Sequence, residues 1–329
     1  MRRPLASSKD RAIFITAISV LFTLGSSYWY AGRASFQPAR SHTAFLHGVV
    51  SSIKQLPPLA RWDTVWYFLI AQSGYTQSGK HGISTPGFFP GYPMIIRLIS
   101  TLTSIDLFTS AIVAAVLGYL LSQYLLYAFL KENGSTREEA CRSVVALACF
   151  PTAFLLQSGY SESWFLAFSL GAFLQIRRHS YGLAAICALL AGITRPHATI
   201  LALALLCEGY HQFKAIKRRL AWVPGLSTLL GLGGFQLYLT LVTHDRLAYF
   251  HSKQAGGWNS SLTHVVAEFP ERFKNAFALI LVNPWGLSVF LEYIVAAGIL
   301  ASGISLWRRK KIPESLLLLG CVALSYAGG

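Results

Sequence analysis

Apolar and polar positions fall in long blocks along this chain. Apolar runs at about 12–30, 107–130, 143–157, 161–176, 181–194, 197–210, 220–243, 286–307 and 315–329 are separated by short basic pieces and by two long mixed stretches, 31–105 and 244–285. A helix needs about 20 apolar residues to cross the ~30 Å hydrocarbon layer, so the pattern predicts an all-α, polytopic chain of about nine crossings forming a single domain over 1–329. The first run follows Arg2, Arg3, Lys9 and Arg11. A cleaved signal peptide begins the same way, but the later runs favour an uncleaved anchor. The four middle runs, 143–157 through 197–210, are too short to cross an unthinned bilayer singly. They are expected either to line a protein-enclosed, hydrated cavity, where short helices are tolerated, or to be plain hairpins with polar caps. The last run ends at Gly328-Gly329 without a flanking charge, so the chain is expected to stop short of a natural C-terminus.

Charge orients these spans. More than half of the 28 Lys and Arg residues lie in the short pieces 1–11, 131–142, 177–180, 211–219 and 308–314, far denser than in the two long stretches. By the positive-inside rule the short pieces and the N-terminus are cytoplasmic, and 31–105 and 244–285 are outer loops. Composition agrees, since only 12% of residues are charged and 53% are apolar, against roughly 25% charged in a soluble domain. The net charge of +15 sits in clusters between apolar runs, which suits anionic lipid headgroups and not a nucleic-acid face. Cys141, Cys149, Cys187, Cys207 and Cys321 lie in or beside apolar runs without metal-ligand spacing and read as small core residues. His244 and His251 share a loop but lack a third ligand at a recognisable spacing. Asn259-Ser260-Ser261 fits a glycosylation sequon, relevant only in a secretory-pathway host. No Walker loop or dinucleotide fingerprint is present, which disfavours a nucleotide-sugar or ATP enzyme.

Candidate chemistry follows from the carboxylates, of which there are 13. Asp10, Glu132, Glu138, Glu139, Glu208 and Glu314 lie on or near the cytoplasmic side. Asp106 reads as a helix cap, Asp245 begins a loop, Glu268 and Glu271 are solvated loop charges, and Glu292 sits in a span with nothing beside it to name a role. Asp63 and Glu162 remain, set among aromatic and small residues at the membrane surface, where an ionisable group points to function. From 61 to 75 the spacing predicts an amphipathic helix with Trp62, Trp66, Leu69 and Ile70 on one face and Asp63 and Tyr67 on its flank. Asp63 could equally do no more than support that helix's first turn through the dipole. Phe88-Phe89-Pro90-Gly91-Tyr92-Pro93 reads as a rigid connection into the next helix. Thr194-Arg195-Pro196 sets a guanidinium beside an outer helix start, an arrangement suited to phosphate or to a snorkelling arginine.

Four ordered blocks then carry a resemblance: Arg61-Trp62-Asp63 with Ile70-Ala71 and Gly74-Tyr75; Phe88 to Pro93; Phe150-Pro151-Thr152 with Gly159-Tyr160-Ser161-Glu162-Ser163; and Thr194-Arg195-Pro196. Together, over roughly 60–200, they resemble the family of the second mannosyltransferase of glycosylphosphatidylinositol-anchor synthesis and its prokaryotic relatives. Beyond residue 220 only hydropathy is shared. The resemblance implies a GT-C glycosyltransferase, a helical bundle with an interfacial helix in its first outer loop. Such an enzyme takes a sugar, mannose here, from a polyprenyl-phosphate donor to a lipid-linked glycan or other hydroxyl acceptor. It works on the non-cytoplasmic face, in the plasma membrane of a prokaryote or the endoplasmic reticulum of a eukaryote. Asp63 occupies the position of the catalytic base; Arg195 would meet the donor phosphate, Glu162 would bind sugar hydroxyls or orient Arg195, and Trp66, Tyr67, Tyr75 and Tyr160 would line the sugar and lipid paths. Direct displacement would invert the anomeric centre. No cofactor is certain; a divalent metal is possible, neither required nor excluded by the sequence. Another GT-C enzyme with a different sugar or a protein acceptor is the nearest alternative. A lipid-linked-sugar flippase should show an internal repeat, and none is found.

Overall fold

The computed structural model describes residues 8–33, 59–60, 63–76, 84–150, 152–255, 274 and 297–308. Arg61, Trp62, Pro151, Asn259, Glu268, Glu271, Glu292, Cys321 and the run 315–329 lie outside the described residues. The chain is all-helical, with no strand among the described residues. Two helical stretches, Leu107–Glu132 and Arg219–Thr243, are long and apolar enough to cross a membrane. The chain divides into two compact units, one from 1–74 and 88–179 and one from 75–87 and 180–329.

The first unit is built on a long helix, α4 (Leu107–Glu132), with α1 (Ser8–Arg33), α2 (Thr64–Ser73), α3 (Gly91–Thr103), α5 (Arg137–Ala148) and α6 (Glu162–Arg177) around it. At 26 residues α4 is about 39 Å long. It starts where the sequence placed a cap, the Asp106 carboxylate accepting from the Thr109 N–H at 2.9 Å. It ends at Asn133, whose side-chain amide donates back to the Phe129 carbonyl at 2.7 Å. Thr136 then opens α5 with a capping box: Glu139 accepts from the Thr136 N–H at 2.7 Å, and the Glu139 N–H donates to the Thr136 hydroxyl at 3.2 Å.

The apolar run 143–157 is not one helix. It is divided between the end of α5 and a separate 3-10 turn, Ala153–Leu156, because α5 stops at Ala148 and the chain turns back on itself. The return helix α6 runs beside α4 in the same direction: Ser163 and Trp164 meet Gly118, Phe173 lies 6.4 Å ring to ring from Phe129, and Arg178 pairs with Glu132 at 2.9 Å. The hairpin of α5 and α6 therefore has its open end level with the end of α4. The Trp164 indole donates to the Ala114 carbonyl at 2.8 Å, so the tip of the hairpin before α6 reaches at least to Ala114, about 10 Å along α4 from Leu107.

The helix expected at 61–75 is present as α2, but its pattern of burial is broader than one stripe. Thr64, Val65, Tyr67, Phe68, Ile70 and Ala71 are all buried, whereas Trp66 and Leu69, from the expected apolar face, are half-buried. On one side Val65 and Phe68 join Leu59, Ala60, Phe108 and Ile112, with Phe68 stacked on Phe108 at 4.1 Å. On another, Tyr67 packs edge-on against Tyr92 of α3 at 5.0 Å. The periodicity of α2 could not show this, since its second covering surface comes from residues 88–92.

The second unit holds α7 (Tyr181–Gly192), α8 (Ala198–Ile216), α9 (Val223–Thr243) and α10 (Ala248–Ala255). Small residues let α7 and α9 meet backbone to backbone: a Cβ on Gly192 would fall 2.5 Å from the Thr228 carbonyl oxygen, and one on Gly231 would fall 2.7 Å from that of Leu189. Buried Glu208 is satisfied within this unit, accepting from Gln212, which in turn accepts from the Tyr181 hydroxyl at 2.7 Å. The helical stretch 297–308 lies in the expected run 286–307.

Candidate active site

Asp63 stands at the junction where an irregular segment becomes α2. Its backbone carbonyl accepts from the Trp66 and Tyr67 N–H groups at 3.0 and 3.2 Å, while its side chain makes no capping bond to the helix. The carboxylate is exposed although the helix it precedes is buried. Asp63 thus adds no capping hydrogen bond, while its place before the first turn still suits support through the helix dipole.

A glycine places the second carboxylate beside it. Gly159, at the tip of the α5–α6 hairpin, donates to the Leu59 carbonyl at 3.2 Å. It lies so close to α2 that a Cβ there would be 2.5 Å from both Cγ2 and Oγ1 of Thr64. This contact locks the segment before α2 onto the segment before α6. The hydroxyls of Tyr67 and Ser161 then meet at 2.8 Å, both buried, and half-buried Glu162 opens α6.

Tyr160 lies between the two acids. Burial raises its phenol well above the ordinary range, the charges of Asp63 and Glu162 add to the rise, and a hydrogen bond with the Asp63 backbone opposes it. The phenol is thus held neutral beside two carboxylates. Tyr92 is held neutral likewise, first by burial and then by the electrostatic influence of Tyr67 and Glu162; its hydroxyl donates to the Ala111 carbonyl. Trp66 stacks on Phe88 at 5.5 Å, and Tyr67 meets the same ring edge-on at 5.4 Å. The result is two carboxylates, neutral phenols and an aromatic wall, a surface suited to hydroxylated ligands.

Of the residues singled out in the sequence, Asp63, Trp66, Tyr67, Tyr160 and Glu162 come together in the first unit. Tyr75 and Arg195 belong to the second unit. There Tyr75 packs against Phe235 at 5.6 Å and Tyr238 at 5.8 Å. Arg195, half-buried, precedes α8; its carbonyl and those of Pro196 and His197 accept from the N–H groups of Ala198, Thr199 and Ile200. Tyr249 of α10 lies within reach of the Arg195 charge: burial raises its phenol and Arg195 works against the rise. Sequence reasoning missed Tyr92, which it treated as part of a connection, and Thr64 and Ser161, whose roles depend on the Gly159 contact. The Gly159-Tyr160-Ser161 spacing was the available signal. Among the described residues no group of three His, Cys, Asp or Glu side chains could hold a metal ion, and His251 instead pairs with Asp245 at 2.7 Å.

The family model described as Mannosyltransferase (PIG-V) matches residues 13–252. That range includes every candidate residue in both units. Comparison with curated proteins and with solved structures gives no match.

Proposed function

The chain belongs to the Mannosyltransferase (PIG-V) family and is a glycosyltransferase, and from that membership we propose that it moves a mannosyl group from a polyprenyl-phosphate donor to an acceptor hydroxyl with inversion. Asp63 takes the acceptor proton as the hydroxyl oxygen attacks the anomeric carbon. The bond from that carbon to the donor phosphate oxygen breaks, and the electron pair leaves with polyprenyl phosphate. A phosphate monoester, with a second pKa near 6, departs without a general acid, so one carboxylate suffices where a glycosidase uses two. Glu162 and the Tyr160 phenol bind sugar hydroxyls, and Trp66 and Tyr67 form the wall. Tyr75 lines the lipid path, and Arg195 pairs with the donor phosphate.

The observation that carries this reading is the setting of Asp63. The cluster of Leu59, Ala60, Val65 and Phe68 with Phe108 and Ile112 puts the Asp63 segment beside the first turns of a helix apolar enough to span a membrane. A carboxylate set there, at the end of an apolar span, is explained by contact with substrate at the membrane boundary. The family is membrane-associated. We read the chain as one catalytic domain crossing about nine times, with its N-terminus cytoplasmic and its site open to the non-cytoplasmic face.

The test is transfer of radiolabelled mannose from polyprenyl-phosphate mannose to endogenous lipid, in membranes holding equal amounts of wild type and Asp63→Asn. A loss of at least a hundredfold supports the assignment, since general base catalysis contributes about 10²–10⁴-fold. Equal product from both moves the base elsewhere, with Glu162 the next carboxylate to replace. A glucosyl donor run in parallel separates mannose from another hexose.

A further inference from the structure

The middle of α4 carries polar groups that its apolar character does not call for. Tyr119, twelve residues on from Leu107 in this 26-residue helix, is fully buried, and Gln123, one turn later on the same face, is 4% exposed. Where a helix this apolar crosses a membrane, both lie near mid-depth, where an unmet polar group costs most. Thr23 of α1 approaches the Tyr119 hydroxyl at 3.3 Å. The 3-10 turn closes the group: Leu156 packs against the cluster of Val20, Tyr119, Val144 and Ala148, and the next residue, Gln157, is fully buried. The Tyr119 hydroxyl lies within reach of both side-chain amides, yet the nitrogen and the oxygen of each amide are buried without a hydrogen-bond partner. Each such atom costs free energy in an apolar interior, and native proteins meet buried groups of this kind with ordered water.

We infer that Tyr119, Gln123 and Gln157 bind ordered water in the middle of α4, a hydrated clasp between that helix and the 3-10 turn. An amide offers both donors and an acceptor and a phenol offers either, so one or two waters can bridge all three side chains. Their near-complete burial suits water over any larger polar ligand. Gln157 is also a positioning residue. Gly159, two residues on, is pressed against Thr64, and Tyr160 follows it, so where the clasp holds Gln157 decides where the tip meets the Asp63 segment. The water site stands apart from the proposed reaction; the positioning role rests on it.

The test uses the full chain in detergent micelles. A density map fine enough to show ordered water is expected to place at least one water within about 3.2 Å of a Gln123 or Gln157 amide atom and of a second polar atom of the clasp. Amides bonded directly to one another, with no water among them, overturn the inference. Thermal unfolding of Gln123→Met, Gln157→Met and the double variant gives an independent answer, methionine keeping the shape of glutamine without its amide. A shared water makes each single replacement lower the unfolding midpoint, because the remaining amide loses its bridge, and lets the double variant recover part of the loss. Amides that are simply unmet would do the reverse: each replacement would remove a buried cost and raise the midpoint, and that rise overturns the inference. For the positioning role, the acceptor KM of mannosyl transfer is compared between Gln157→Met and Gly192→Ala, a variant altered only in the second unit. A KM raised only in Gln157→Met supports the role, and equal values in the two overturn it. Absence of transfer in the wild type would sink the catalytic assignment alone, the density and the unfolding still deciding the water site.

Discussion

Gly159→Ala tests whether the contact that positions Asp63 is as tight as the geometry says. The added Cβ would lie 2.5 Å from two Thr64 atoms, whereas ordinary contact begins at 3.4 Å, so the two segments must separate by about 1 Å. Thr64 is fully buried, follows Asp63 directly, and its neighbour Tyr67 bonds Ser161 from the other side of the same contact. It therefore has little room to turn away. Overpacking of this kind costs about 1–3 kcal/mol. A misplacement of 1 Å at a reacting group can cost about a hundredfold in rate, so activity should fall much further than stability. The assay is mannosyl transfer per folded molecule, with thermal unfolding in the same detergent. The companion variant is Gly159→Ala with Thr64→Ala, which deletes both atoms at 2.5 Å and leaves only a Cβ at 3.0 Å. It should recover most of the lost rate, giving a coupling of the sign expected for two side chains in collision. Full activity in Gly159→Ala alone, or no recovery in the double variant, would refute the reasoning.

Two further outcomes follow from other parts of the chain. Gly192→Ala and Gly231→Ala each drive a methyl into a carbonyl oxygen of the facing helix; because backbone cannot swing aside, each should cost at the upper end of about 1–3 kcal/mol, read as a fall in unfolding midpoint, and a neutral result for both would mean that α7 and α9 are not in backbone contact. Asp106→Asn keeps the cap acceptor but removes its charge. Partial burial disfavours that charge, yet the Thr109 hydrogen bonds outweigh it and hold the carboxyl below its ordinary 3.8, so the charge stabilises the fold above that pH and the benefit is lost as pH falls through the lowered value. The variant should therefore be less stable than wild type by under ~1 kcal/mol at pH 7, with the gap closing in acid; a gap that widens on acidification would show the wrong sign.

The sequence could be read as far as its local signals reached. Asp106 was legible as a cap because an Asp followed by an apolar run needs nothing distant to define it. The segment 64–73 was legible as a helix, but not as an enclosed one, because its second covering surface comes from Phe88 and Tyr92, twenty residues away. The run 143–157 was misread as one segment because apolar character continues through the turn at 149–152.

The packing around Asp63 was the largest gap. Read along the chain, Asp63 lies on the flank of an amphipathic helix and belongs at the membrane surface. Read through its contacts, its segment is held between the α5–α6 tip and the first turns of α4, with Gly159 on Thr64 and Val65 and Phe68 on Phe108 and Ile112. α6 begins at one carboxylate, Glu162, and the tip before it holds Tyr160 between the two acids, so the α5–α6 tip borders the space in front of exposed Asp63. If that space is the path for the acceptor, bulk added at the α5–α6 tip should raise the acceptor KM before it lowers kcat. Phe154→Trp, at a partly exposed position of the 3-10 turn, tests this without touching the carboxylates. A change confined to kcat would place the path elsewhere.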